Sequence, residues 1–230
     1  MNPVAGVLSE AWEMYKTHWR HLLSISVVVY IAVAVITALL IGVFGLFGVL
    51  LSILVSFVGI FLVQGALVIA VQDVRDGRAD LSLAETLKRV QPSLGAIAGA
   101  SILAGIGIGI GFLLLIVPGL VLMTFWSVIV PVIVLERAPA MRSFTRSREL
   151  VSGNGWNVFG VVVLLFLIQL AFGIVLSIVL AFFPEGLQSF LSNLINGTLT
   201  APFIALAWTL LYYRLTAVRG GTTPPEAQTP

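Results

Sequence analysis

The chain has 230 residues, of which 59% are hydrophobic and only 10% charged, with a net charge of +2. A soluble domain carries roughly 25% charged residues, so this composition excludes a water-facing surface over most of the protein and fits one bathed in hydrocarbon. The few basic residues flank apolar runs and form no stripe, which argues against nucleic-acid binding, and the absence of cysteine excludes disulfides, thiolate metal sites and cysteine nucleophiles.

The first 21 residues contain Glu10, Glu13, Lys16 and Arg20, and the apolar run behind them is too long for a signal peptide, so the first span is expected to be a permanent anchor. An amphipathic helix is predicted over 3–20, with Asn2 as N-cap and Pro3 at the first helical position. Val4, Leu8, Ala11, Trp12, Tyr15 and Trp19 fall on one face of it. Trp and Tyr favour the membrane interface, so this helix is expected to lie in the bilayer surface. His18 and His21 are one turn apart. No further metal ligand is suitably placed, so they read as interfacial polar groups and no metal is assigned.

Crossing the hydrocarbon core takes about 20 apolar residues in a helix. From Leu22 to Gln72 there is no Asp, Glu, Lys, Arg or His, which is enough for two spans, 22–44 and 48–72, broken near Gly45 and Gly48. A second amphipathic helix follows at 81–91, where Ser82 and Glu85 have capping-box spacing. The charge-free run from Val90 to Leu135 again holds two spans, 94–116 and 119–136, with a break expected at Val117-Pro118-Gly119. The first of these is rich in glycine, and Gly95 and Gly99, Gly105 and Gly109, and Gly107 and Gly111 share the spacing that lets helices approach closely in lipid. A third amphipathic helix is predicted at 139–152, opened by Pro139 and closed by Gly153-Asn154-Gly155. Met141, Phe144 and Val151 give it an apolar side, with Arg142 and Arg146 one turn apart on another. Two last spans, 156–183 and 187–213, flank a turn at Pro184-Glu185-Gly186. Pro131 and Pro202 sit inside spans and can kink them. Residues 220–230 read as a disordered tail.

These elements predict an all-α fold: a polytopic membrane helix bundle of about six transmembrane helices, built as three amphipathic-helix-plus-hairpin units within a single membrane domain, 1–219. All 12 Lys and Arg fall in the segments 1–21, 73–93, 136–155 and 214–230, which six spans put on one face. Short basic loops stay in the cytoplasm, so both termini are expected there.

Candidate intramembrane polar contacts are Gln64, Asn193, Asn196 and Thr200, together with Gln169 and Thr198. They serve either as hydrogen bonds between helices or as the lining of a pocket for a neutral or zwitterionic ligand. Lys88, Arg89, Arg142, Arg146 and Arg148 form the candidate lipid-headgroup or partner contact, since anionic lipid attracts such residues by about 1 kcal/mol each. The plainer alternative is that they only set topology. No catalytic constellation, P-loop or nucleophile motif stands out, and no cofactor is implied.

Val117-Pro118-Gly119-Leu120, Phe125-Trp126-Ser127, Pro131 and Val134-Leu135-Glu136 lead into Arg146-Ser147-Arg148-Glu149-Leu150-Val151, Gly153-Asn154, Trp156 and Phe159-Gly160, with Pro202 and Leu211-Tyr212-Tyr213 near the end. This pattern resembles a six-pass membrane domain found alone in bacterial and archaeal proteins or fused ahead of a glycerophosphodiester phosphodiesterase. The likeness is best over 115–160. The family often follows the paired tyrosines with an acidic residue, where this chain has Arg214, and the 11 residues after Arg219 leave no room for a catalytic barrel. The resemblance therefore implies a membrane domain without the enzyme, in the plasma membrane of a prokaryote, linked to lipid or glycerol-phosphate metabolism by association. The expected function is a non-enzymatic protein that scaffolds a partner or engages lipid. Its expected partners are membrane lipids, including anionic ones, and a protein partner or a second copy of the chain, with no nucleic acid. The alternative is a component of a transporter or channel for a small molecule or lipid. An intramembrane enzyme ranks third, since the spans offer serines and threonines without a base.

Overall fold

The computed structural model describes residues 5–75 and 81–220. These are helical almost throughout, with no strand among them, and five helical stretches are long and apolar enough to cross a membrane.

The first helix, α1, runs Val7–Arg75 over 69 residues. Straight, it would be roughly 100 Å long, about three times the hydrocarbon thickness. It is not straight. His18 and Gly45 leave helical geometry, Gly45 at φ 54° and ψ −127°, a region glycine enters without steric penalty. At Gly45 the chain reverses. Ser52 Oγ contacts the Thr37 carbonyl across the turn at 3.4 Å, Gly59 faces Val33, and a Cβ on Gly48 would strike the Leu40 carbonyl oxygen. The legs 19–44 and 46–75 thus form an antiparallel hairpin, with its break at Gly45 as the sequence predicts. The helix ahead of it begins at Val7, after a turn at Gly6 (φ 80°). This is later than the expected start, and Asn2, Pro3 and Val4 lie outside the described residues. Of the predicted apolar face, Leu8, Ala11 and Tyr15 pack against the core. Val7 and Ala11 are fully buried and Met14 and Tyr15 pack beside them, whereas Trp12 and Trp19 are about half exposed. This side meets the last helix, α8 (Glu185–Val218): Tyr15 donates to the Leu199 carbonyl at 3.0 Å, and the Trp12 ring meets Phe203 edge-on at 6.1 Å.

α2 (Leu83–Val90) opens with the predicted capping box. Ser82 Oγ accepts from the Glu85 N–H, and the Glu85 carboxylate accepts from the Ser82 N–H. A single 3₁₀ turn (Gln91–Ser93) joins it to α3 (Leu94–Leu114). The reversal after α3 comes at Leu115, which is fully extended, and not at Val117-Pro118-Gly119. Pro118 belongs to the first turn of α4 (Ile116–Phe125), where its missing N–H costs nothing. The predicted span 119–136 is broken in two. Helix α5 (Ile129–Leu135) starts after non-helical residues at Trp126 and Val128, with Pro131 in its first turn and no mid-helix kink. Glycines of α3 set the approach of α4: the Trp126 ring fills the space a Cβ would occupy on Gly107, and the Gly119 backbone lies 3.0 Å from where one would sit on Gly111. Gly95 and Gly109 face open space.

α6 (Ala140–Val151) matches its predicted extent, and Phe144 and Val151 of its predicted apolar side pack inward, joined there by two serines. Ser143, Ser147, Leu150 and Val151 are buried, and Met141 is exposed. Small hydroxyl residues let the helix lie close, and Ser147 donates to the Phe125 carbonyl at 2.7 Å, one of the groups left free where α4 breaks. α7 (Gly155–Val179) and α8 (Glu185–Val218) form the last hairpin. Its turn lies at 180–184, so Glu185 and Gly186 belong to helix and not to the turn. α8 has 34 residues, about 50 Å of helix, and continues through Pro202 past the predicted end at 213.

The core has two parts. One gathers both legs of α1 with α6, α7 and α8, around Leu22, Leu67, Leu150, Leu206 and Leu211. The other packs the 46–75 leg against α3 and α5, around Ile97, Ile129 and Ile133.

Candidate functional site

The basic segments meet at one end of the bundle, bound by contacts between distant parts of the chain. Arg214 reaches both Glu10 and the Ala5 carbonyl, Arg219 donates to the Ser152 carbonyl, and the Arg75 guanidinium sits 3.7 Å above the Tyr213 ring. At the centre is a three-residue network. Arg146 Nε donates to both carboxylate oxygens of Glu136 at 3.1 and 3.2 Å, and the Tyr212 hydroxyl donates to Glu136 Oε1 at 2.9 Å. Glu149 Oε2 lies 3.6 Å from Arg146 Nη1. Partial burial disfavours the Arg146 charge, but the Glu136 hydrogen bond and field outweigh it and hold the guanidinium pKa above its ordinary value. This ties α5, α6 and α8 together.

The five candidate basic residues therefore separate. Arg146 is engaged by two carboxylates. Lys88, Arg89, Arg142 and Arg148 are exposed and, among the described residues, have no ion-pair partner. Arg148 lies 5.8 Å over the Phe125 ring. Arg78 is outside the described residues.

Beside that ring is an apolar groove of about 560 Å³, bounded on one side by Leu120, Val121 and Phe125 of α4 and on the other by Gly155, Trp156 and Phe159 at the start of α7. Of its two side chains with a polar group, Thr124 is turned back to the Leu120 carbonyl at 2.8 Å, and Trp156 carries an indole N–H. The volume is within the range of ligand pockets, but a groove this apolar offers little to orient a polar substrate. Its walls are the segments whose Pro-Gly, Phe-Trp and Gly-Asn-Gly signals stand out in the sequence. Those signals mark turns and packing, and no spacing rule reveals that the two segments face each other.

The intramembrane polar residues also separate. Thr200 is satisfied by the Asn196 carbonyl at 2.7 Å, and Asn193 has an interaction of its own. Asn196 faces Gly173 of α7, and Gln169 is one turn before Gly173 on the same face. Asn196 Oδ1, Gln169 Oε1 and Thr198 Oγ1 are buried without a hydrogen-bond partner. Pro202 has no N–H to give the Thr198 carbonyl four residues earlier, which adds a further acceptor nearby. The Tyr30 ring packs into the space left by Gly197. Gln64, on the 46–75 leg, is half-buried and makes no hydrogen bond to this group. His21 Nε2 is likewise buried and unpaired. Gln169, Asn196, Thr198 and Thr200 are all among the polar residues that the sequence singles out within the spans. The sequence gives no sign of the Glu136–Arg146–Tyr212 network, whose members lie ten and 76 residues apart in the chain.

The model of a family described as a domain of unknown function (DUF7847) matches residues 38–218, and the chain belongs to that family. The match says nothing of a phosphodiesterase-linked membrane domain. No curated protein and no solved structure gives a significant match.

Proposed function

We propose that this member of the DUF7847 family is a non-enzymatic, multi-pass protein of a prokaryotic plasma membrane that engages anionic lipid at its cytoplasmic face. The observation that carries this is a group of exposed cations that have no ion-pair partner among the described residues, Lys88, Arg89, Arg142 and Arg148 with Arg20 and Arg137, on a largely apolar bundle. Each attracts an anionic leaflet by about 1 kcal/mol. Cations needed only for packing would carry partners, as Arg146 and Arg214 do. The exclusive placement of Lys and Arg in four segments supports the orientation, with both termini cytoplasmic. The order of elements supports three units, since a short helix precedes each apolar hairpin: 7–17, α2 and α6. The resemblance to the phosphodiesterase-linked membrane domain supports a role near lipid metabolism, and a bound protein or second copy would use the same face.

The test is native mass spectrometry of the protein released from nanodiscs of equimolar phosphatidylglycerol and phosphatidylcholine. Phosphatidylglycerol is expected to be retained preferentially, and changing Lys88, Arg89, Arg142 and Arg148 to Gln should abolish the preference. Equal retention of both lipids by the unaltered protein would refute the reading.

A second reading, a transporter component, is favoured by the orphaned acceptors Gln169, Asn196 and Thr198, which a passing ligand with hydrogen-bond donors would satisfy. Counterflow of candidate solutes that disappears on Asn196→Leu would establish it, and flux unaffected by that change would remove it.

A further inference from the structure

We infer that the α4–α7 groove is a discrete site for one acyl chain of an anionic phospholipid, with Arg148 holding the phosphate at its rim. The inference deepens the lipid-binding reading above and rests on it for the nature of the ligand.

Two observations on the groove agree. Its walls, Leu120, Val121, Phe125, Trp156 and Phe159, are apolar and leave about 560 Å³ open to the outside of the bundle. A groove of this kind on a lipid-facing surface fills with hydrocarbon, because water there would forgo its hydrogen bonds and a vacuum would forgo dispersion contacts. A flexible chain also needs no polar group to orient it, which suits so apolar a lining.

The rim then selects the head group. Arg148 is exposed, has no carboxylate partner among the described residues, and is stationed over Phe125, the residue that closes one wall. A guanidinium matches phosphate in charge and in fork geometry. Trp156, 87% exposed in the facing wall of the groove, is the residue type that settles at the head-group level. Chain and phosphate are thus recognised at adjoining positions. Arg146, two residues away, is unsuited to this task because Glu136 already occupies it.

The groove also has a place where it can be filled without disturbing the fold. A Cβ on Gly155 would meet no atom within 4 Å, and its φ is ordinary for a helix. Gly155→Phe therefore projects a ring into the groove, and replacing a helical glycine does not weaken the helix.

The experiment is photo-crosslinking in nanodiscs of equimolar phosphatidylglycerol and phosphatidylcholine, with a trace of either lipid bearing a diazirine on one acyl chain, followed by peptide mapping. The phosphatidylglycerol probe is expected to label 117–125 and 153–159 at least fivefold above the exposed 39–54 and 174–179 faces. Gly155→Phe should remove that excess while leaving labelling of 39–54 unchanged. Arg148→Gln should equalise the two probes at the groove. Even labelling of all exposed faces would overturn the site, and groove labelling equal for both probes would overturn the role of Arg148. Failure of the broader reading is distinct: retention blind to head group would refute lipid selection by the basic face as a whole, while an excess at the groove dependent on Arg148 would still stand.

Discussion

Two polar regions of this protein follow opposite rules. At the basic end, Glu136, Arg146 and Tyr212 give every shared group a partner, and three helices converge on one carboxylate. In the α7–α8 hairpin, Gln169, Asn196 and Thr198 each bury an acceptor that finds none. A satisfied network holds a fold together, whereas an orphaned acceptor in an apolar surround costs stability and is retained for some other reason. The contrast separates the polar groups that build the protein from those that remain free for another partner.

Removing the carboxylate breaks the first region most severely. Glu136→Ala leaves the Arg146 guanidinium with only the more exposed Glu149 and deprives the Tyr212 hydroxyl of its acceptor. Breaking a buried pair costs about 3–5 kcal/mol, but both partners here are about a quarter exposed, so a loss of about 2–3 kcal/mol is expected. Tyr212→Phe removes one neutral donor and should cost about 1 kcal/mol. The two losses should fall short of additivity in the double variant, because both act on one carboxylate. Unfolding monitored in detergent micelles measures this. Strict additivity would mean that the three residues do not act as a unit.

The second region should respond with the opposite sign. Thr198→Val removes a buried hydroxyl without a partner and keeps the shape of the side chain, and Gln169→Leu does the same for an amide. Each should leave stability unchanged or raise it by about 1 kcal/mol, since no hydrogen bond is lost and a desolvation cost is relieved. A loss of more than about 1 kcal/mol for either would show that the acceptor has a partner in the membrane, such as water or a second copy.

The same contrast explains what the sequence could reveal. Composition, charge-free runs and basic flanks announce apolar helices because hydrocarbon imposes those rules on every lipid-facing residue. Gly45, the Ser82–Glu85 capping box and the extent of α6 are local signals, and they were legible. The break at Trp126–Val128 was not, because Pro131 is compatible with either a kink or a helix start, and only the packing of α6 through Ser147 decides. The buried side of α6 was legible only in part for a related reason: hydrophobicity points to Phe144 and Val151, which pack inward, and to Met141, which does not, while close approach also buries Ser143 and Ser147. The site residues are harder still. Five basic residues look equivalent in sequence, and only the fold shows that Glu136 captures one of them.

That difference among the basic residues supplies the smallest stability effect. Arg142→Gln and Arg148→Gln remove exposed charges with no ion-pair partner, so each should change stability by less than about 0.5 kcal/mol. Arg146→Gln leaves Glu136 with only the Tyr212 hydroxyl and should cost roughly 2 kcal/mol. Binding should rank the other way. Sedimentation of nanodisc-exchanged protein with phosphatidylglycerol vesicles should weaken for the Arg142 and Arg148 variants and hold for Arg146, as long as the fold persists. If all three variants lost stability equally, the exposed arginines would have structural partners after all. If all three lost lipid equally, the basic end would act as a diffuse field of charge, and the separation between engaged and free arginines would carry no functional meaning.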